Sequence, residues 1–161
     1  MEIKNFLYPD TVEKAIKYLD EYKGKAKIVA GGTDLVLWLR SGKAQAEILV
    51  DIANIKELHE IKIENNRLII GAGVIATDVS MNKDIKKLFK CLADGCRSIG
   101  SPQIRNMATV AGNIVSAQPA ADASVNFVAL EAKCEVASIK GRKTIKVEDT
   151  YLGVGNSSID S

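Results

Sequence analysis

Ala30-Gly31-Gly32-Thr33-Asp34-Leu35 and Ala108-Thr109-Val110-Ala111-Gly112-Asn113-Ile114 are the two stretches on which the reading of this chain turns. Each pairs glycine with a small hydroxyl residue where strand-like apolar sequence gives way to something else. Glycine lacks a β-carbon and permits positive φ, so successive N–H groups can converge on an anion. Two such loops facing one another would grip a pyrophosphate, which points to a dinucleotide. Taken singly, a Gly-Gly-Thr triplet reads equally well as an ordinary turn. Neither stretch is a G-x-G-x-x-G or a G-x-x-x-x-G-K-[ST] motif. Gly71-Ala72-Gly73 closes a hairpin strand, which argues against a Rossmann unit.

Working outward, the residues before and after the first stretch read as a small α/β unit. Asp10 and Glu13 have capping-box spacing, and Val12, Ala15, Ile16 and Leu19 recur at helical intervals up to Gly24. A strand over 27–30 runs into the glycine pair, and Thr33 or Asp34 can cap a short helix over 35–40. A buried strand over 48–52 follows, and the alternation of strands and helices favours parallel pairing. Beyond it, 60–64 and 67–73 form a hairpin around Asn65-Asn66. Residues 84–99 read as one long helix with Ile85, Leu88, Phe89 and Leu92 on a single face, ended by Gly100-Ser101-Pro102. The second glycine stretch lies in sequence of low periodicity. Residues 123–132 look helical, and 134–139 with 143–147 make a second hairpin around Lys140-Gly141. From Tyr151 to Ser161 the sequence is loop-like, with no closing element.

Composition narrows the function classes. The chain has 161 residues, 47% hydrophobic and 26% charged, which is ordinary for a globular protein. A net charge of +2, without a basic block or helix face, argues against a nucleic-acid partner. No apolar run approaches the roughly 18 residues of a membrane span, and Met1-Glu2-Ile3-Lys4-Asn5 lacks a secretory apolar core. A cytoplasmic location is therefore expected. Cys91, Cys96 and Cys134 lack metal-site spacing and read as reduced, buried thiols, so no metal site is expected in this chain. His59, the single histidine, reads as a surface residue near a strand edge, and Trp38 and Tyr18 as core. No Ser-His-Asp or paired-carboxylate set is present, so no catalytic residue is assigned.

Along almost its whole length the sequence resembles the FAD-binding medium subunit, or FAD domain, of molybdenum hydroxylases such as xanthine dehydrogenase and aerobic carbon monoxide dehydrogenase. The resemblance runs through both glycine stretches, Val50-Asp51-Ile52 with Ile55 and Glu57-Leu58, and Ile69-Ile70-Gly71-Ala72-Gly73. It continues through Gln103-Ile104-Arg105-Asn106-Met107 and Pro119-Ala120-Ala121-Asp122. It implies an α+β, two-subdomain FAD-binding fold of the vanillyl-alcohol-oxidase (PCMH) type, divided into residues 1–55 and 56–161. Ile28, Val29, Ala30, Gly31, Gly32, Thr33, Asp34 and Leu35 would wrap the FAD diphosphate. Thr109 would donate its hydroxyl from the other side, with Gly112 allowing close approach and Asn113 supplying an amide. Asp122 would accept from a cofactor hydroxyl, and Ile99 would lie against the flavin ring.

The same resemblance implies a redox subunit within a complex. A large subunit would hold molybdopterin and a small one iron–sulfur clusters, with electrons leaving through FAD to NAD or another acceptor. Two departures bear on this. Ala111 stands where the family has the first glycine of a pair, and the family's C-terminal module has no counterpart before Ser161. A truncated scaffold subunit that does not retain flavin is the alternative. Asp34 would repel a diphosphate unless its side chain points away to cap the following helix. Arg105 would neutralise phosphate or hold its own loop through a salt bridge. Gly32→Val should remove FAD with little loss of folding.

Overall fold

Residues 3–119 and 121–159 are described by a computed structural model. Met1, Glu2, Ala120, Asp160 and Ser161, each part of a stretch discussed above, lie outside the described residues. The first unit is a parallel three-stranded sheet in the order β1 (Asn5–Leu7), β3 (Ile48–Asp51), β2 (Ala26–Val29). Parallel pairing follows from the helices α1 (Val12–Glu21) and α2 (Leu35–Ser41) that connect the strands. Ala15 of α1 packs with Ala26, Ile48, Val50 and Ile55 as a small core, and half-buried Tyr18 lies against it. The N-cap of α1 is Thr11, not Asp10: its Oγ1 accepts from the Lys14 N–H at 3.2 Å. Asp10 instead pairs with the Lys14 ammonium, which lowers the carboxyl's pKa and raises that of the amine.

A 3-10 turn (Lys56–His59) leads to the hairpin β4 (Ile61–Glu64) and β5 (Arg67–Ile70), whose Asn65 and Asn66 have φ of 49° and 59°. Both values suit the mirror-image turn that matches strand twist. Gly71 then passes so close to the 3-10 turn that a β-carbon there would lie 2.3 Å from the Leu58 carbonyl oxygen.

The expected long helix over 84–99 is two helices, α4 (Lys83–Leu88) and α5 (Lys90–Ser98), and α3 (Ala76–Met81) precedes them unforeseen. Phe89 breaks the helix at φ −136°, ψ 53°. The break re-aims α5, so Leu92, Ala93 and Cys96 are buried with Ile85, whereas Leu88 is 58% exposed. The low-periodicity region holds α6 (Pro102–Arg105) and α7 (Val110–Val115). Both are too short for a sequence period to show, and both rely on hydroxyl caps, Ser101 and Thr109. Helix α8 (Asp122–Ala129) crosses α5 at Gly95, where a β-carbon would meet Asn126 Nδ2 at 2.1 Å. These helices enclose the larger core, from Val74 and Val79 to Phe127 and Val147.

The hairpin β6 (Lys133–Ser138) and β7 (Gly141–Lys146) forms as expected. Residues expected as a terminal loop instead include a small hairpin, β8 (Tyr151–Gly153) and β9 (Asn156–Ser157). Cys96 is buried, which pushes its thiol up to about 12; Cys134 is half-buried and Cys91, against expectation, is exposed. Trp38 is half-buried, with the Lys43 ammonium 4.8 Å from its ring centroid, so it lies at the edge of its unit and not in the core. Among the described residues no helix is long and apolar enough to cross a membrane.

Candidate functional site

The two glycine stretches touch. A β-carbon on Gly31 would lie 1.9 Å from the Met107 carbonyl oxygen and 3.1 Å from the Ala108 α-carbon. Only glycine lets the turn after β2 press so closely on the backbone leading into Thr109. The next residue, Gly32, has φ of +68°, in the left-handed region, and its α-hydrogen side faces Val29 and Val36. Gly31, Gly32, Thr33 and Asp34 are all half-buried, and their N–H groups meet no protein acceptor among the described residues. Four successive main-chain donors without a protein partner lie at the entry to α2, open to water or to an anion. They are the donor set an anion would complete.

Asp34 begins α2 without a side-chain capping bond. The expectation that its carboxylate caps the helix does not hold. Ile28 is an exposed residue of β2 and Val29 a half-buried one, so these two lead the chain into the turn. Leu35 opens α2.

The second stretch is fixed by a main-chain clip and by side chains. Ala76 donates its N–H to the Ala108 carbonyl at 2.9 Å and Val110 donates to that of Val74 at 3.0 Å, clipping Thr109 against Ile75. Thr109 is 6% exposed, and its Oγ1 accepts from the Gly112 N–H at 3.1 Å. Acceptance uses a lone pair, so the hydroxyl proton stays available for an anion. A β-carbon on Gly112 would sit 3.0 Å from that same Oγ1, so glycine here protects the cap. Asn113 turns its amide oxygen to Ser124, whose N–H donates to it at 3.1 Å.

Asp122, exposed at the first position of α8, contacts α5 through its carbonyl near Gly95. Ile99 follows four residues later, 8% exposed, at the end of α5. Arg105 binds the Ile99 and Gly100 carbonyls, each at 3.0 Å, and so holds its own loop, through carbonyls and not through a salt bridge. Of the expected residues, the 28–35 stretch presses at Gly31 on the backbone that leads into Thr109, Gly112 and Asn113, and Asp122 lies near Gly95 of the helix that ends at Ile99. Gly95 and Ser124 join these residues without having been assigned a role, and Met107, quoted only within a matching stretch, joins through its carbonyl; Gly95, isolated within a helical pattern, carried a signal of close approach. His59 is exposed, as expected, but it lies in the 3-10 turn, with Nε2 2.8 Å from the Ala53 carbonyl oxygen.

Comparison with known proteins bears on this geometry. A family model described as the FAD binding domain in molybdopterin dehydrogenase matches residues 1–161. The nicotinate dehydrogenase FAD-subunit of Eubacterium barkeri is 33% identical over 151 residues, covering 93% of this chain and 51% of that one. The carbon monoxide dehydrogenase medium chain of Hydrogenophaga pseudoflava is 31% identical over 145 residues, covering 90% and 50%. A solved structure of carbon monoxide dehydrogenase from the same organism superposes with a TM-score of 0.93 at 29% identity, covering 97% of this chain and 54% of that one. The chain spans about half the length of the curated relatives it matches.

Proposed function

The chain belongs to the family of FAD-binding domains of molybdopterin dehydrogenases, and from that premise we propose that it holds FAD along the seam between residues 1–55 and 56–161 as the redox subunit of a molybdenum-containing dehydrogenase. The observation that carries this reading is the run of unpartnered N–H groups from Gly31 to Asp34, set against the Thr109 hydroxyl. Hydrogen bonds to a charged acceptor contribute about 1.5–3 kcal/mol each, so a few suffice to hold a diphosphate.

Gly31 to Asp34 would bind the diphosphate through their main chain, and Thr109 would donate its hydroxyl proton to it. Asp122, exposed, would accept from a hydroxyl of the cofactor. Ile99 offers only a small exposed edge to a flavin ring. Once bound, FAD supplies redox chemistry between iron–sulfur clusters on a small subunit and NAD or another acceptor, with molybdopterin on a large subunit. We place the assembly in the cytoplasm and its fold in the vanillyl-alcohol-oxidase (PCMH) type.

The test is a titration of the purified chain with FAD, read by visible absorbance and by quenching of flavin fluorescence. Saturable binding of one FAD per chain, released on denaturation, is the expected result. A chain that stays colourless at high FAD overturns the reading in favour of a scaffold.

A further inference from the structure

We infer that Ser124 is a positioning residue for the cofactor segment: it holds the amide oxygen and carbonyl of Asn113, bolts α7 to α8, and leaves the Asn113 NH2 group without a partner among the described residues, set to donate to the diphosphate. The inference rests on the FAD reading above. Ser124 gives its N–H to Asn113 Oδ1 at 3.1 Å, and its hydroxyl lies 3.0 Å from that oxygen and 3.1 Å from the Asn113 carbonyl oxygen. The same carbonyl accepts from the Ser116 hydroxyl at 3.0 Å. Ser124 is 4% exposed and Ser116 6%, so loss of these part-buried bonds would strand the buried serine groups.

The bolt matters because α7 is only six residues long. A helix that short does not hold itself. Its N-terminal end is fixed by the Thr109 cap, and the Asn113 N–H continues that turn by donating to the Thr109 carbonyl at 3.0 Å. Asn113 then pins the other side of the turn to α8, two residues beyond Asp122. Without this pin α7 can rotate, and Thr109 moves relative to Gly31. Displacements of about 1 Å at a binding group are costly even when every contacting residue is intact.

A double-mutant cycle tests this on the whole chain: Ser124→Ala, Asn113→Ala and the pair, each read for FAD dissociation constant, visible circular dichroism of the bound flavin, and thermal midpoint without flavin. We expect Ser124→Ala to weaken FAD roughly tenfold with a changed flavin signal, Asn113→Ala to weaken it at least as much, and the double variant to weaken it no further than Asn113→Ala. If Ser124→Ala stays within about twofold of the parent while Asn113→Ala loses tenfold, Asn113 serves the cofactor without Ser124 and the inference falls. Asn113→Asp keeps the acceptor oxygen, so it should retain the stability coupling to Ser124 in the flavin-free protein; absence of that coupling also ends the inference. A parent chain that shows the coupling but binds no FAD overturns the proposed function instead, and with it the role of the bolt toward the cofactor.

Discussion

In the first glycine segment the shape is carried by the main chain: Gly32 at φ +68°, Gly31 flat against the Met107 carbonyl, and an Asp34 that caps nothing. In the second a main-chain clip to Val74 and Ala76 is completed by side chains: the Thr109 hydroxyl on Gly112 and the Asn113–Ser124 bond. The difference teaches where each is vulnerable. A backbone-shaped cradle fails when a β-carbon is added, whereas a side-chain-shaped one fails when a hydroxyl or amide is removed.

The largest break should come from Gly31→Ala. Its methyl group collides with the Met107 carbonyl at 1.9 Å, and that acceptor is main chain and has no rotamer to swing away. Overpacking of this kind costs about 1–3 kcal/mol, and losing two charge-assisted bonds to the diphosphate would weaken FAD about a hundredfold. Thermal unfolding and FAD titration of the variant check both figures.

Gly32→Val should come next, and here the structure alters the expectation that folding is spared. An L-residue at positive φ costs about 1–2 kcal/mol, so the variant should lose stability as well as FAD. Asn at the same position tolerates that φ better, and a higher melting point for Gly32→Asn than for Gly32→Val would confirm the backbone origin. Equal melting points would contradict it.

The larger core that supports the second segment contains Cys96, held neutral by burial up to about 12. Its pKa is raised on folding, so the stability it contributes is complete below the ordinary thiol value of 9.0 and is lost as pH climbs toward 12. Unfolding free energy should therefore fall by up to about 1.4 kcal/mol per pH unit in that window, and Cys96→Ala should flatten the slope. Denaturant melts at several pH values would show it.

Thr109→Ala should remove about 1 kcal/mol of helix capping and weaken FAD about tenfold, with Thr109→Ser restoring most of both. The smallest effect is at Asp34. Because its side chain caps nothing, Asp34→Asn should leave stability within about 0.5 kcal/mol while tightening FAD, since a negative charge beside the diphosphate is gone. A large loss of stability there would mean that the carboxylate has a structural duty after all.

Much of this arrangement was legible in the residues. The periodicity of Val12, Ala15, Ile16 and Leu19 marked α1, and Asn65-Asn66 marked a hairpin, because both signals act between near neighbours in the chain. The break at Phe89 was not legible, since Ile85, Phe89 and Leu92 satisfy one helical face equally well on paper. Packing of α5 against α3 and α8 chose the broken form. Asp10 and Thr11 both had the chemistry of an N-cap, and only the path of the entering chain selected Thr11.

The sequence by itself determined that two glycine segments would be present, the first running into a short helix, because glycine and hydroxyl placement are local chemistry. Tertiary structure alone decided that Gly31 meets Met107, that the donors from Gly31 to Asp34 stay unpartnered, and that Asn113 faces Ser124. Those are contacts between residues far apart in the chain. Their geometry comes from how two cores pack and from nothing that a local pattern encodes.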